Sequence, residues 1–129
     1  MSALRNVGAI TLFVEDLPRS KAFYEDAFGL AAVYEDENST VFDFGNTLVN
    51  LLKIPAARGL IEPGTVADPD AGACFQLSIW VDDADAVCSD LAARGIALLN
   101  GPIDRAWGKR TASFSDPDGN IWEVAQDLP

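Results

Sequence analysis

Histidine is absent from all 129 residues of this chain. That removes the commonest general base and the commonest neutral metal ligand in one stroke. Cysteine is scarce: Cys74 and Cys88 form no CxxC pair and no disulfide framework. Without an imidazole to activate them they read as small apolar residues, not nucleophiles. Basic residues are few, nine Lys and Arg against twenty Asp and Glu, for a net charge of −11. Nucleic acid is therefore not expected as a partner, because phosphate binding needs clustered cations. The acidic balance fits attraction for a cationic small molecule, and equally an acidic surface that only keeps the chain soluble. Long apolar runs are also missing. Leu48–Leu52 is interrupted by Asn50, and no stretch is long enough to cross a bilayer. The segment MSALRNVGAITLF lacks the extended apolar region and cleavage site of a signal peptide, so a soluble cytoplasmic protein without membrane contact is expected.

What is present is enough to build a core. Apolar residues make up 49% of the chain, with seven Phe, three Trp and two Tyr. Disorder is excluded at that composition, and the length suits one domain over residues 1–129. Inside it lies a repeat. AITLFVEDLPRSKAFYEDAFG (Ala9–Gly29) and QLSIWVDDADAVCSDLAARG (Gln76–Gly95) each give an apolar strand, then V-x-D, then a helical segment ending at glycine. Val14 and Asp16 match Val81 and Asp83 at a common offset of 67 residues. The pattern predicts two βαβββ modules, at about 7–54 and 74–127. The segment Pro55–Ala73 between them, with three prolines and three glycines, reads as a linker or a loop.

Asp16 is placed as the N-cap of a helix running to about Phe28, with Pro18 tolerated in its first turn and Gly29 as its stop. Short strands follow at Ala31–Glu35, Ser39–Phe44 and Thr47–Lys53, the last two joined by the turn pair Gly45-Asn46. In the second module a strand at Phe75–Val81 leads to a helix from about Ala84 to Arg94. Strands near Ile96–Asn100, Thr111–Phe114 and Ile121–Gln126 complete it, the last two separated by the turn Asp116–Asn120. Alternation assigns the faces. Ile10, Leu12 and Val14, like Leu77, Ile79 and Val81, should lie against helices, and Trp122 and Val124 should join them. The opposite face then carries Thr11, Phe13, Asn50, Gln76, Ser78, Trp80 and Glu123. Amides and a carboxylate among aromatic rings predict a concave, partly apolar pocket.

These features together resemble a known family. D-L-x-x-S-x-x-F-Y (Asp16, Leu17, Ser20, Phe23, Tyr24) and the closing DPDGN-x-x-E (Asp116 to Glu123) are similar to motifs of the vicinal oxygen chelate superfamily, which includes glyoxalase I, extradiol dioxygenases, fosfomycin-modifying transferases and bleomycin-resistance proteins. The resemblance covers nearly the whole chain. It implies an α+β fold, two βαβββ modules forming an open, cupped eight-stranded mixed sheet with helices on its outer face, often completed by a homodimer. In catalytic members a divalent metal is held from four strands. The matching positions here are Ala9, Asn50 (Val49 under a one-residue shift), Gln76 and Glu123. Ala9 offers no ligand atom, and one carboxylate with two amides carries too little charge, so no metal and no cofactor are expected.

A member without its metal resembles the bleomycin-resistance proteins, acidic dimers that hold a cationic, aromatic drug. The pair Trp107-Gly108 resembles that subgroup at a place where a ring stacks on ligand. The resemblance thus implies a metal-free protein that sequesters an aromatic or cationic compound such as an antibiotic. Its expected ligand-binding residues are Thr11, Phe13, Asn50, Gln76, Ser78, Trp80, Trp107, Arg110 and Glu123. Other readings stay open. The same face suits a glyoxalase-like lyase, isomerase or transferase that uses Glu123 as base or an atypical metal shell, and equally a dimeric accessory protein whose cup its own side chains fill. Trp107 fits a ligand stack or a cover for a sheet edge. The basic group Arg105, Lys109 and Arg110 fits an anionic ligand group or a simple balance to nearby acids. Open strand edges favour a homodimer.

Overall fold

In the computed structural model, which describes residues 3–129, an aspartate sets chain entry into the helix that follows the first strand of each module. Part of the N-terminal segment weighed above, Met1 and Ser2, lies outside the described residues. Strand β1 (Ala9–Val14) ends two residues before helix α1 (Leu17–Phe28). Asp16 adopts extended backbone angles and its carboxylate accepts the Arg19 N–H at 3.1 Å, satisfying one of the free donors of the first turn. The helix ends at Gly29, whose φ of 65° lets its N–H reach the Glu25 carbonyl. The second module repeats the device. Strand β5 (Gln76–Trp80) leads to Asp83, whose carboxylate accepts the Ala86 N–H at 3.0 Å and caps a helix at Ala84–Ala93.

The chain divides into two compact units, with the boundary between Asp68 and Pro69. In the first, β2 (Tyr34–Glu35), β3 (Ser39–Asp43) and β4 (Leu48–Lys53) join β1 in the order β1-β4-β3-β2. β1 runs parallel to β4 and the other pairs are antiparallel, so the sheet is mixed. On the helix-facing side Leu12 and Val14 are buried as expected and Ile10 is half-buried, and Phe42, Val49 and Leu51 are buried with them. α1 closes that side with Tyr24, which is fully buried and stacks on Phe28 at 5.5 Å and on Phe42 at 5.9 Å. Between β2 and β3 the Asp36 carboxylate collects the N–H groups of Asn38 and Ser39 and the hydroxyls of Ser39 and Tyr34. Those donors, led by the Asn38 N–H, hold its carboxyl below the usual aspartate range. The Gly45-Asn46 turn forms as expected, with Asp43 accepting the Gly45 N–H at 2.7 Å.

One departure follows β4. Residues expected to be linker instead open with helix α2 (Ile54–Ile61). Pro55 sits in its first turn, where the missing N–H costs nothing, and Ala57 is buried. The irregular stretch begins only after it.

In the second unit, α3 (Ala84–Ala93) is followed by β6 (Asn100–Asp104), β7 (Lys109–Ser115) and β8 (Ile121–Asp127). The order is β5-β8-β7-β6, with β5 parallel to β8. The eight strands thus form two four-stranded mixed sheets, one per βαβββ module. Trp122 and Val124 are buried as expected, with Phe114, Ala112 and Leu91. Cys88 is buried on α3, and burial pushes its thiol up, while Cys74 is exposed. β6 corrects the expected strand at Ile96–Asn100: the pairing starts at Asn100 and passes through Gly101 and Pro102 across an irregular step. The Gly-Pro pair reads as a strand breaker in sequence, yet here it lies at an irregular step of an edge strand, where a sheet admits it. No helix among the described residues is long and apolar enough to cross a membrane.

Candidate functional site

Strand register decides which side chains share the face away from the helices. In the first module Thr11 of β1, Asn50 of β4 and Val41 of β3 stand in one row. Phe13 and Leu52 stand beside each other one pleat further along. Thr11, Phe13 and Asn50 are all half-buried. This face carries no charge in that row. Its one oddity is the Asn50 side-chain oxygen, buried and without a hydrogen-bond partner among the described residues.

The second module carries the matching row in charged form. Ser78 of β5, Glu123 of β8 and Ser113 of β7 are aligned across three strands. The Ser78 hydroxyl donates to one Glu123 carboxylate oxygen at 2.8 Å. No Lys or Arg pairs with Glu123 among the described residues, so a half-buried carboxylate faces outward with a single hydroxyl to support it. Gln76 lies one pleat to one side, aligned with Ile121, and Trp80 one pleat to the other, aligned with Ala125 and Thr111. Trp80 is 73% exposed on a face whose neighbouring positions, Ala125 and Thr111, are buried. A large ring left this open beside an unneutralised carboxylate is suited to a planar or cationic molecule.

The basic group divides between the two faces. Lys109 and Thr111 point with Glu123, whereas Arg110 points with Ala112 to the helix side. There Arg110 donates to Asp104 at 2.6 and 3.3 Å and to Asp85 of α3 at 3.0 Å. The hydrogen bond from Arg110 holds the Asp104 carboxyl below its ordinary range, and Asp104 in turn raises the guanidinium. The structure therefore separates Arg110 from Gln76, Ser78, Trp80 and Glu123. Arg105 lies with them instead: its Nε donates to the Thr111 hydroxyl at 2.9 Å, and its guanidinium sits 5.9 Å from the ring of Trp107. Trp107, in the turn between β6 and β7, is 69% exposed.

Two members of this face escape a reading by motif. The Lys109 ammonium lies 5.0 Å above the centre of the Trp80 ring and is ion-paired with Asp127. The signal for each is alternation: counting back from Thr111 on β7 puts Lys109 on the Trp80 side and Arg110 on the other, and counting on from Glu123 on β8 puts Asp127 with Lys109.

As a donor set, Ala9, Asn50, Gln76 and Glu123 fit a divalent metal poorly. Ala9 has no donor atom, the two amides are neutral, and Glu123 is the one carboxylate among the four. No group of three or more His, Cys, Asp or Glu suited to a metal ion occurs among the described residues.

A family model described as the Glyoxalase/Bleomycin resistance protein/Dioxygenase superfamily matches residues 6–124. The chain is 34% identical over 123 residues to the uncharacterized protein YraH of Bacillus subtilis, covering 92% of this chain and 96% of that protein. It is 30% identical over 122 residues to a probable lactoylglutathione lyase of Vibrio cholerae, covering 90% and 86%. Among solved structures, a glyoxalase/bleomycin resistance protein/dioxygenase from Nocardioides superposes with a TM-score of 0.89 at 21% identity, over 99% of this chain and 87% of that one.

Proposed function

The chain belongs to the glyoxalase/bleomycin resistance protein/dioxygenase superfamily, and from that premise we propose that it binds a small aromatic or cationic molecule without a metal, as a sequestering protein. One observation carries this reading: the Glu123 carboxylate, held by Ser78 and unpaired with any cation among the described residues, faces outward next to the exposed ring of Trp80. A charge in that setting gains from a ligand cation, and the ring offers it a flat apolar surface. Gln76 supplies an amide to orient a polar group, and the net charge of −11 adds long-range attraction. Thr11, Phe13 and Asn50 present an uncharged equivalent in the first module. The proposal includes a cytoplasmic homodimer, supported by the edge strands β1, β2, β5 and β6, each with a single neighbour in its own sheet.

Titration of metal-free bleomycin against tryptophan fluorescence tests this. Saturable quenching is expected with one site per chain, absent from Trp80→Phe. Glu123→Gln should weaken it by roughly tenfold or more, as a hydrogen bond to a charged group contributes about 1.5–3 kcal/mol. Lack of quenching at high micromolar drug in low salt removes the drug-sequestering role.

A second reading is a glyoxalase-like lyase, isomerase or transferase with Glu123 as base or an atypical metal shell, supported by the 30% identity to the probable lactoylglutathione lyase. In its first form Glu123 abstracts a proton, and its carboxylate is shared with the Ser78 hydroxyl. Against the hemithioacetal of methylglyoxal and glutathione, with and without added zinc or nickel, no turnover above background is expected. Neither metal should raise Tm by more than about one degree, because a site with so few charged donors gives little binding energy. Metal-dependent turnover lost in Glu123→Gln would replace the binding function with the enzyme.

A further inference from the structure

Beyond the row of Ser78 and Glu123, the second module holds a pocket of about 230 Å³ lined by Trp80, Val81, Asp82, Lys109, Ala125 and Asp127. Its arrangement is unusual in that the protein supplies its own cation. The Lys109 ammonium lies over the Trp80 ring and is ion-paired with Asp127. Asp82, on the same rim, is exposed and has no ion-pair partner among the described residues. With Lys109 in place the pocket carries one excess negative charge, and with Lys109 swung away it carries two.

We propose that this pocket is a subsite for an organic ammonium group, in which Lys109 is a tethered competitor that a ligand cation displaces from Trp80. Each part of the geometry serves that role. The Trp80 ring supplies the quadrupole that draws a weakly hydrated cation to its face. Asp127 supplies the counter-charge that Lys109 now uses, and Asp82 supplies a second. The volume lies below that of a drug-sized pocket and suits one substituted ammonium or a single ring rather than a whole molecule. Lys109 has a flexible stem and a strongly hydrated head, so it returns to water at little cost when a less hydrated cation takes its place. Its side chain already keeps about 30% of its surface exposed, which leaves that path open. The subsite rests on the reading of this face as a ligand face, and narrows the ligand to one with an alkylated or aromatic ammonium.

The test uses the full chain and phenyltrimethylammonium, followed through the indole N–H resonance of Trp80, assigned with Trp80→Phe. A saturable shift is expected with this cation and none with benzenesulfonate. Lys109→Met removes the competitor and should tighten binding by about fivefold, the scale of one cation–π contact. That gain should persist in about 0.5 M NaCl, where long-range charge effects are screened within a few ångströms. Asp82→Asn with Asp127→Asn together should weaken binding by roughly tenfold. The proposal is overturned if benzenesulfonate binds instead and Lys109→Met abolishes it, since Lys109 would then be an anchor for anions. It is equally overturned if neither the native chain nor Lys109→Met gives a saturable shift. An ammonium shift without bleomycin quenching rejects the drug and keeps the subsite, whereas drug quenching without an ammonium shift overturns the subsite alone.

Discussion

Gly101→Ala is expected to destabilise the protein by about 3 kcal/mol or more, among the largest effects of any single methyl group added to this chain. Two costs combine. Gly101 has a φ of +92°, where a side chain is strained. A Cβ built there lies 2.4 Å from the Thr111 carbonyl oxygen and 2.6 Å from the Ala112 Cα. Both are backbone atoms of β7, so no rotamer change relieves the contact, and β6 must lift away. That shift would carry Asn100 off Ser113 and pull Arg105 from the Thr111 hydroxyl. Gly119→Ala provides the comparison, because it shares the strained angle (φ 85°) but meets nothing within 4 Å. Urea unfolding of both variants separates strain from collision. Equal midpoints for the two would show that the β6–β7 approach does not matter.

Asp116→Ala should cost about 3 kcal/mol through unmade hydrogen bonds rather than collision. Asp116 is 4% exposed, and its carboxylate holds the DPDGN turn from within. One oxygen accepts the N–H groups of Asp118 and Asn120, both at 2.9 Å, and the other accepts the Asn120 side-chain amide at 2.9 Å. Alanine leaves all three donors without that acceptor in a part-buried turn. Asp116→Asn keeps an oxygen for the two backbone donors and gives up the Asn120 amide contact, so its cost should be about a third to a half as large. Equal midpoints for alanine and asparagine would refute the turn as the source. The turn also fixes where β8 begins. A slip of one residue in that strand would send Glu123 to the helix side, so ligand binding should fail in Asp116→Ala even where the chain remains folded.

Helices α1 and α3 and the strand faces were legible in the sequence because local chemistry sets them. Asp16 and Asp83 declare their caps, Gly29 declares a stop, and the alternation in β1, β5 and β8 sorts core from open face without help from distant residues. α2 was not legible, because Pro55 and Gly59 read as breakers when taken alone. Only packing of Ala57 turns a proline-opened segment into a helix. β6 was misplaced for a similar reason: the Gly101-Pro102 pair is tolerated by an edge position that the sequence does not announce. Within the candidate site, Gln76, Ser78, Trp80 and Glu123 could be aligned by counting along strands. The partition of Lys109 from Arg110 could not be read until the start of β7 was known, since one residue of uncertainty exchanges their faces. The Arg110 clamp on Asp104 and Asp85 joins three elements and has no local signature.

The aligned rows of the two modules have a consequence for how such a protein tolerates change. Thr11, Asn50 and Val41 occupy in one copy the stations that Ser78, Glu123 and Ser113 occupy in the other. Duplication supplies two scaffolds of the same design, yet only one of these rows carries an ionisable group. Substitutions in the neutral row alter shape by small steps, while a single exchange at position 123 alters charge. The uncharged row is thus the one freer to drift toward new contours, and position 123 is where one mutation changes the charge of its face.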